Sequence, residues 1–213
     1  YDVIGADFWT GGGVTAKGFA DQLEAMGELD RIIVRINSPG GMVDDAVAIH
    51  TLLSEYRAEK TVKVDGVAAS AASVVAMTGK RIEMAPGAML MIHNPWTVAI
   101  GDGNALRKAA EVADKYRNSL VSIYAKRTSK PADAIIAAMD AETWYTAEEA
   151  VAGGMADAVL EEAGRFANDR LAPLNRERRE AMYKKILLPT DGSPLSAAAI
   201  AQGVALAKSM GAK

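Results

Sequence analysis

Acyl transfer by serine needs a nucleophile, a base within hydrogen-bond reach, a group that orients the base, and donors for the oxyanion. The chain has 213 residues, two histidines and no cysteine, so a thiol nucleophile is excluded and His50 and His93 are the only imidazoles. One serine is set apart by its neighbours. In Gly66-Val67-Ala68-Ala69-Ser70-Ala71-Ala72-Ser73, a short β-like run (61–64) meets glycine and then opens an apolar helix-like run (71–77) that stops at Gly79. A strand turning sharply into a helix puts the first helical side chain at an exposed end. There, free N–H groups and the helix dipole favour developing negative charge. Ser70 at that corner is placed to be a nucleophile; the other reading is an N-cap. Ser73 follows it into the packed helix and reads as a small packing residue. His93 ends a strand-like run at Asn94-Pro95, the better place for a base. His50 lies mid-helix in Ala48-Ile49-His50-Thr51-Leu52 and reads as structural.

The elements that must carry these groups alternate between strand and helix. Residues 1–4 read as a strand, 8–13 as a glycine-rich turn, and 15–28 as a helix capped by Thr15, with Phe19, Leu23 and Met26 on one face. Arg31-Ile32-Ile33-Val34-Arg35-Ile36 is a dense β-branched run, typical of a buried parallel strand. It ends in Asn37-Ser38-Pro39-Gly40-Gly41, where the glycines let the backbone turn with N–H groups outward and Ser38 shapes the loop. A helix follows over 43–57. Residues 81–84 and 88–93 read as strands separated by the turn dipeptide Pro86-Gly87. Residues 105–127 form one long helix, roughly 35 Å at 1.5 Å per residue, which projects from the globule or lies on a partner subunit. Pro131 opens another helix, 143–145 is strand-like, 147–152 helical and 156–160 a last strand. Such alternation predicts an α/β domain with mostly parallel strands. Ligands of such sheets collect at the carboxyl ends of strands, where Gly40, Gly41 and Ser70 all fall.

Composition narrows the functional classes. Half of the residues are hydrophobic, 6% aromatic and ten are Met, so the core is built from Ala, Val, Ile, Leu and Met. A net charge of −3 argues against nucleic acid as the main partner. Without cysteine, and with two histidines, no disulfide framework and no Cys- or His-rich metal site is expected; no cofactor is expected either. No apolar run approaches the roughly 20 residues of a membrane span and no signal peptide is visible, so the expectation is a cytoplasmic protein. The start at Tyr1, inside a strand-like run, suggests that the true N-terminus is missing.

Three segments together resemble the ClpP family of serine peptidases: Ile36-Asn37-Ser38-Pro39-Gly40-Gly41, then Gly66-Val67-Ala68-Ala69-Ser70, then Met91-Ile92-His93-Asn94-Pro95. The run from Val62 to Met77, Met84-Ala85-Pro86 and Glu142-Thr143-Trp144 are most similar to ClpP-related head maturation proteases of tailed phages and prophages. The likeness covers about residues 1–162. It implies the ClpP/crotonase-like spiral of β-β-α units, with Ser70 as nucleophile, His93 as general base, and the N–H groups of Gly41 and Ala71 as oxyanion hole. The family's aspartate is replaced at the matching position, two before Trp144, by Glu142; Asp140 is the nearby alternative. Asp157 matches a family position outside the triad. The resemblance also implies a homo-oligomeric ring, stacked in pairs through the long helix, acting on protein or peptide substrates. Its partners would be a Clp ATPase or phage capsid and scaffold proteins. A catalytically weak scaffold ring of a phage head is the second reading. A crotonase-like acyl-CoA enzyme is the third, opposed by the Ser-His pair and the Ser-Pro-Gly-Gly loop.

Residues 163–181 lose hydrophobic periodicity and mix arginines with acids, which reads as a charged linker. Residues 182–213, opening on Met182-Tyr183-Lys184-Lys185-Ile186-Leu187-Leu188-Pro189-Thr190-Asp191-Gly192-Ser193, resemble the first strand and helix of universal stress proteins. Asp191 would match an adenine-contacting position there. The family's later glycine-rich phosphate loop is absent, and one strand with one helix buries no core of its own, so no nucleotide site is expected.

Overall fold

The computed structural model describes residues 1–6 and 12–160. Residues 8–11 of the glycine-rich turn, the charged linker and the stress-protein-like segment lie outside them.

The β-branched run does form a strand, β1 (Arg31–Ser38), parallel to β2 (Glu59–Ala69) with Val34 opposite Val62. The helix between them is α2 (Val43–Glu55), preceded by α1 (Ala16–Ala25) with Thr15 as its N-cap. Residues 1–4 are not a full strand; Ile4 alone bridges Val14 and Gly41. β2 is far longer than the 61–64 strand read from sequence. It runs through Gly66 to Ala69, so the turn falls at Ser70 and not at the glycine. The reason is packing: a Cβ on Gly66 would lie 2.6 Å from Asn37 Oδ1, which itself accepts the Val67 N–H.

Between Ile36↔Val64 and Ser38↔Ala68, two steps along β1 span four along β2. This bulge bends β2 and splits its other edge between two partners. β3 (Arg81–Met84) pairs in parallel with residues 61–64 of β2, and β4 (Met89–Ile92) with residues 67–69. β5 (Thr143–Thr146) closes the β4 edge antiparallel, and β6 (Ala158–Val159) adds in parallel to β3. β6 is shorter than the 156–160 strand expected.

Ser70 is followed by α3 (Ala71–Ala76), buried throughout. Val62, Val64, Ala68, Ile82, Leu90, Ile49 and Leu53 form the core between sheet and helices. The long helix is α4 (Gly103–Thr128), capped by Asp102, a cap not singled out from sequence. Only Leu120, Val121 and Tyr124 of α4 are buried, so its first half projects. α5 (Ala132–Asp140) begins after Pro131, and α6 (Ala147–Ala152) carries a Thr146/Glu149 capping box.

His50 is half-buried on α2, and burial, then the charge of Lys126, hold its imidazole below the ordinary histidine value. A depressed folded-state value means that the unfolded chain binds the proton more readily. Stability from this group is therefore complete above about pH 6.5 and lost as pH falls through the folded value. The melting temperature of His50→Gln should drop less than that of the parent between pH 7.5 and 5.5. An equal drop would show that this group does not titrate differently on folding.

Candidate active site

Ser70 sits on the corner between β2 and α3 with φ 52° and ψ −124°. That is a strained conformation for a residue with a Cβ, held only where its surroundings over-determine it. Its N–H donates to Met91 O at 2.9 Å, tying the corner to β4. Its hydroxyl makes no N-cap bond, so the capping reading is set aside. Instead Oγ lies 2.7 Å from His93 Nε2. His93 directly follows β4, and the β2–β4 pairing of Ala69 with Met91 brings the two carriers side by side.

The other imidazole nitrogen, Nδ1, faces Glu142 Oε2 at 3.8 Å, with the side chains 18% and 60% exposed. That is an ion-pair distance and too long for a hydrogen bond. Glu142 precedes β5 with φ 47°, and its second oxygen accepts the Trp144 indole N–H at 3.5 Å. Asp140 is turned to another partner, accepting the Asn94 side-chain N–H at 2.7 Å. Asp157 binds the Ile82 N–H and Arg127, each at 2.6 Å.

The glycine loop closes on the same corner. Gly40 and Gly41 have φ 101° and 147°. A Cβ on Gly40 would lie 2.8 Å from Ser70 Cβ and 3.0 Å from the Ala71 nitrogen. Ser38 Oγ accepts the Gly40 N–H at 3.2 Å, the shaping role expected of it. The bridge to Ile4 uses Gly40 O and Met42 N–H, which leaves the Gly41 N–H out of that ladder. The Ala71 N–H begins α3 and has no carbonyl one turn earlier in the helix.

Ser73 is more than a packing residue. Buried, it donates to Ser70 O at 2.6 Å and lies 2.8 Å from Tyr124 Oη. The partner is 51 positions away, and no local pattern signals it. Among the described residues no group of three or more acidic or histidine side chains is arranged to hold a metal, and no helix is long and apolar enough to cross a membrane.

An α/β spiral with a serine–histidine pair at its strand ends is the class of protein this architecture defines. The fold is similar to that of a mutant ClpP1 from Listeria monocytogenes, with a TM-score of 0.65 and 22% identity, covering 76% of this chain and 90% of that one. Residues 16–163 match the Clp protease family, a family of serine-type peptidases, and the chain belongs to it. It is 37% identical over 134 residues to the ATP-dependent Clp protease proteolytic subunit 1 of Protochlamydia amoebophila (strain UWE25), covering 61% of this chain. It is 32% identical over 146 residues to the ATP-dependent Clp protease proteolytic subunit of Leuconostoc citreum (strain KM20), covering 67% of this chain. The matches span 65% and 73% of the lengths of those two relatives.

Proposed function

We propose that the chain is a serine endopeptidase working through an acyl-enzyme, and that it acts as a proteolytic subunit. The observation that carries this is the 2.7 Å contact between Ser70 Oγ and His93 Nε2 at a strained strand-to-helix corner. In this mechanism His93 takes the Ser70 proton as Oγ attacks the scissile carbonyl. The Gly41 and Ala71 N–H groups receive the oxyanion, and His93 returns the proton to the leaving amine. Water, deprotonated by His93, then releases the acyl group. Glu142 orients and stabilises the imidazolium; its position facing Nδ1, with Asp140 turned to Asn94, favours it over Asp140.

The peptidase domain would be residues 1–162, followed by the charged linker 163–181 and the appended segment 182–213. The chain would work in the cytoplasm as a homo-oligomeric ring. Two settings fit. The names of both relatives favour protein degradation beside a Clp ATPase. The segments similar to phage head maturation proteases favour cleavage of capsid or scaffold protein.

A fluorophosphonate probe followed by peptide mapping tests the reading. The expected adduct is on Ser70 and is lost in Ser70→Ala and His93→Ala. Absence of an adduct in folded, assembled protein would overturn it and leave a scaffold ring as the function.

A further inference from the structure

Resting on that reading, we propose that Ser73 and Tyr124 are positioning residues that fix and polarise the 70–71 peptide, the unit carrying the Ala71 N–H of the oxyanion hole. The Ser70 carbonyl and the Ala71 N–H are two ends of one planar amide, so whatever holds the carbonyl sets the direction of the N–H. That carbonyl accepts two bonds, from Ser73 N–H at 2.9 Å and Ser73 Oγ–H at 2.6 Å. Ser73 has one hydroxyl proton and spends it on Ser70 O. The 2.8 Å contact with Tyr124 Oη is therefore donated by tyrosine.

The result is a one-way chain: Tyr124 O–H to Ser73 O–H to Ser70 C=O. Each bond in such a chain polarises the next, and a carbonyl drawn towards its donors leaves its amide N–H more acidic. Both hydroxyls are buried, Ser73 at 0% and Tyr124 at 1% exposure. Packing alone would be met by Ala and Phe, without the cost of desolvating two hydroxyl groups. The chain also helps hold Ser70 at φ 52° and joins the buried part of α4 to the reacting corner.

The test uses the full-length protein and the variants Tyr124→Phe, Ser73→Ala and the double variant, with peptide hydrolysis resolved into kcat and KM. Tyr124→Phe keeps the bond to Ser70 O but loses its polarisation, and kcat should fall about 3-fold. Ser73→Ala should lower kcat about 30-fold at unchanged KM, short of the roughly 10²–10³-fold loss seen when an oxyanion donor is removed outright. It should also lower the melting temperature, because the Tyr124 hydroxyl is left buried without its acceptor. The double variant should recover that melting temperature while keeping the reduced kcat, a split that a packing role would not produce. A double variant with parental kcat, or one altered only in KM, would overturn the proposal while Ser70 labelling in the parent still stood. A parent that does not label at Ser70 would overturn the underlying reading, and the proposal with it.

Discussion

His93→Ala should lower kcat for peptide hydrolysis by roughly 10⁴- to 10⁶-fold, and Ser70→Ala by as much. In the proposed mechanism the two groups act as a unit: Nε2, 2.7 Å from Oγ, is the only acceptor placed for the serine proton among the described residues. The double variant should therefore be no slower than either single one, which initial-rate measurements on a peptide substrate check directly. Glu142→Gln is expected to behave differently. Its carboxylate stands 3.8 Å from Nδ1 with 60% of the side chain exposed, so water screens its attraction for the imidazolium. A loss below about 100-fold is expected, well short of the roughly 10⁴-fold seen when a buried triad acid is changed. A loss as deep as that of His93→Ala would mean that the carboxylate closes to hydrogen-bond distance during the reaction.

Gly41→Ala should damage both stability and catalysis. The added Cβ would lie 2.1 Å from Ile4 O and 2.8 Å from Val3 Cγ1. A backbone oxygen cannot rotate away, so the first strand-like residues must leave, and with them the Ile4 N–H to Gly40 O and Met42 N–H to Ile4 O bonds, both 2.8 Å. The φ of 147° adds strain for any side chain. A destabilisation of about 3 kcal/mol and a kcat loss of roughly 10²-fold or more are expected, read from denaturant unfolding and from steady-state rates. Gly87→Ala is the control: φ is positive there too, at 80°, but no atom beyond its two chain neighbours lies within 4 Å of the new Cβ. It should cost only the backbone strain, about 1 kcal/mol, and leave kcat unchanged. Equal effects at the two positions would remove the steric argument.

The sequence carried what is local or strongly patterned. The β-branched run of β1 and the apolar α3 after Ser70 could be read because each is set by its own residues. Thr15 could be read as a cap for the same reason. Ser70 and His93, which the fold brings to 2.7 Å of each other, could be singled out because strand ends in an α/β sheet are where reacting groups collect. What could not be read depends on residues far apart in the chain. Gly66 looked like the turn, yet it is glycine because Asn37 occupies the space of its Cβ. Asn94 and Asp140, 46 positions apart, are joined only by folding. The choice between Asp140 and Glu142 therefore follows from the resemblance to the family, two positions before Trp144, and not from any local pattern. Ser73 looked inert because its partner is on another helix.

α4 is continuous in geometry but divided in cooperativity. Residues 103–119 contain no buried side chain, and only Ala109, Ala113 and Arg117 are half-covered, on one stripe. Leu120, Val121 and Tyr124 anchor the rest. Most of a helix's stability in a protein comes from packing an apolar face, so the tip, with no buried side chain to pack, draws little stability from its own ladder. In a single copy of the chain, the free energy of opening climbs along the helix from near zero at Gly103 towards the global value at Tyr124. Amide protons of the tip then exchange with solvent at close to unprotected rates, while those one turn beyond Leu120 wait for the whole domain to unfold.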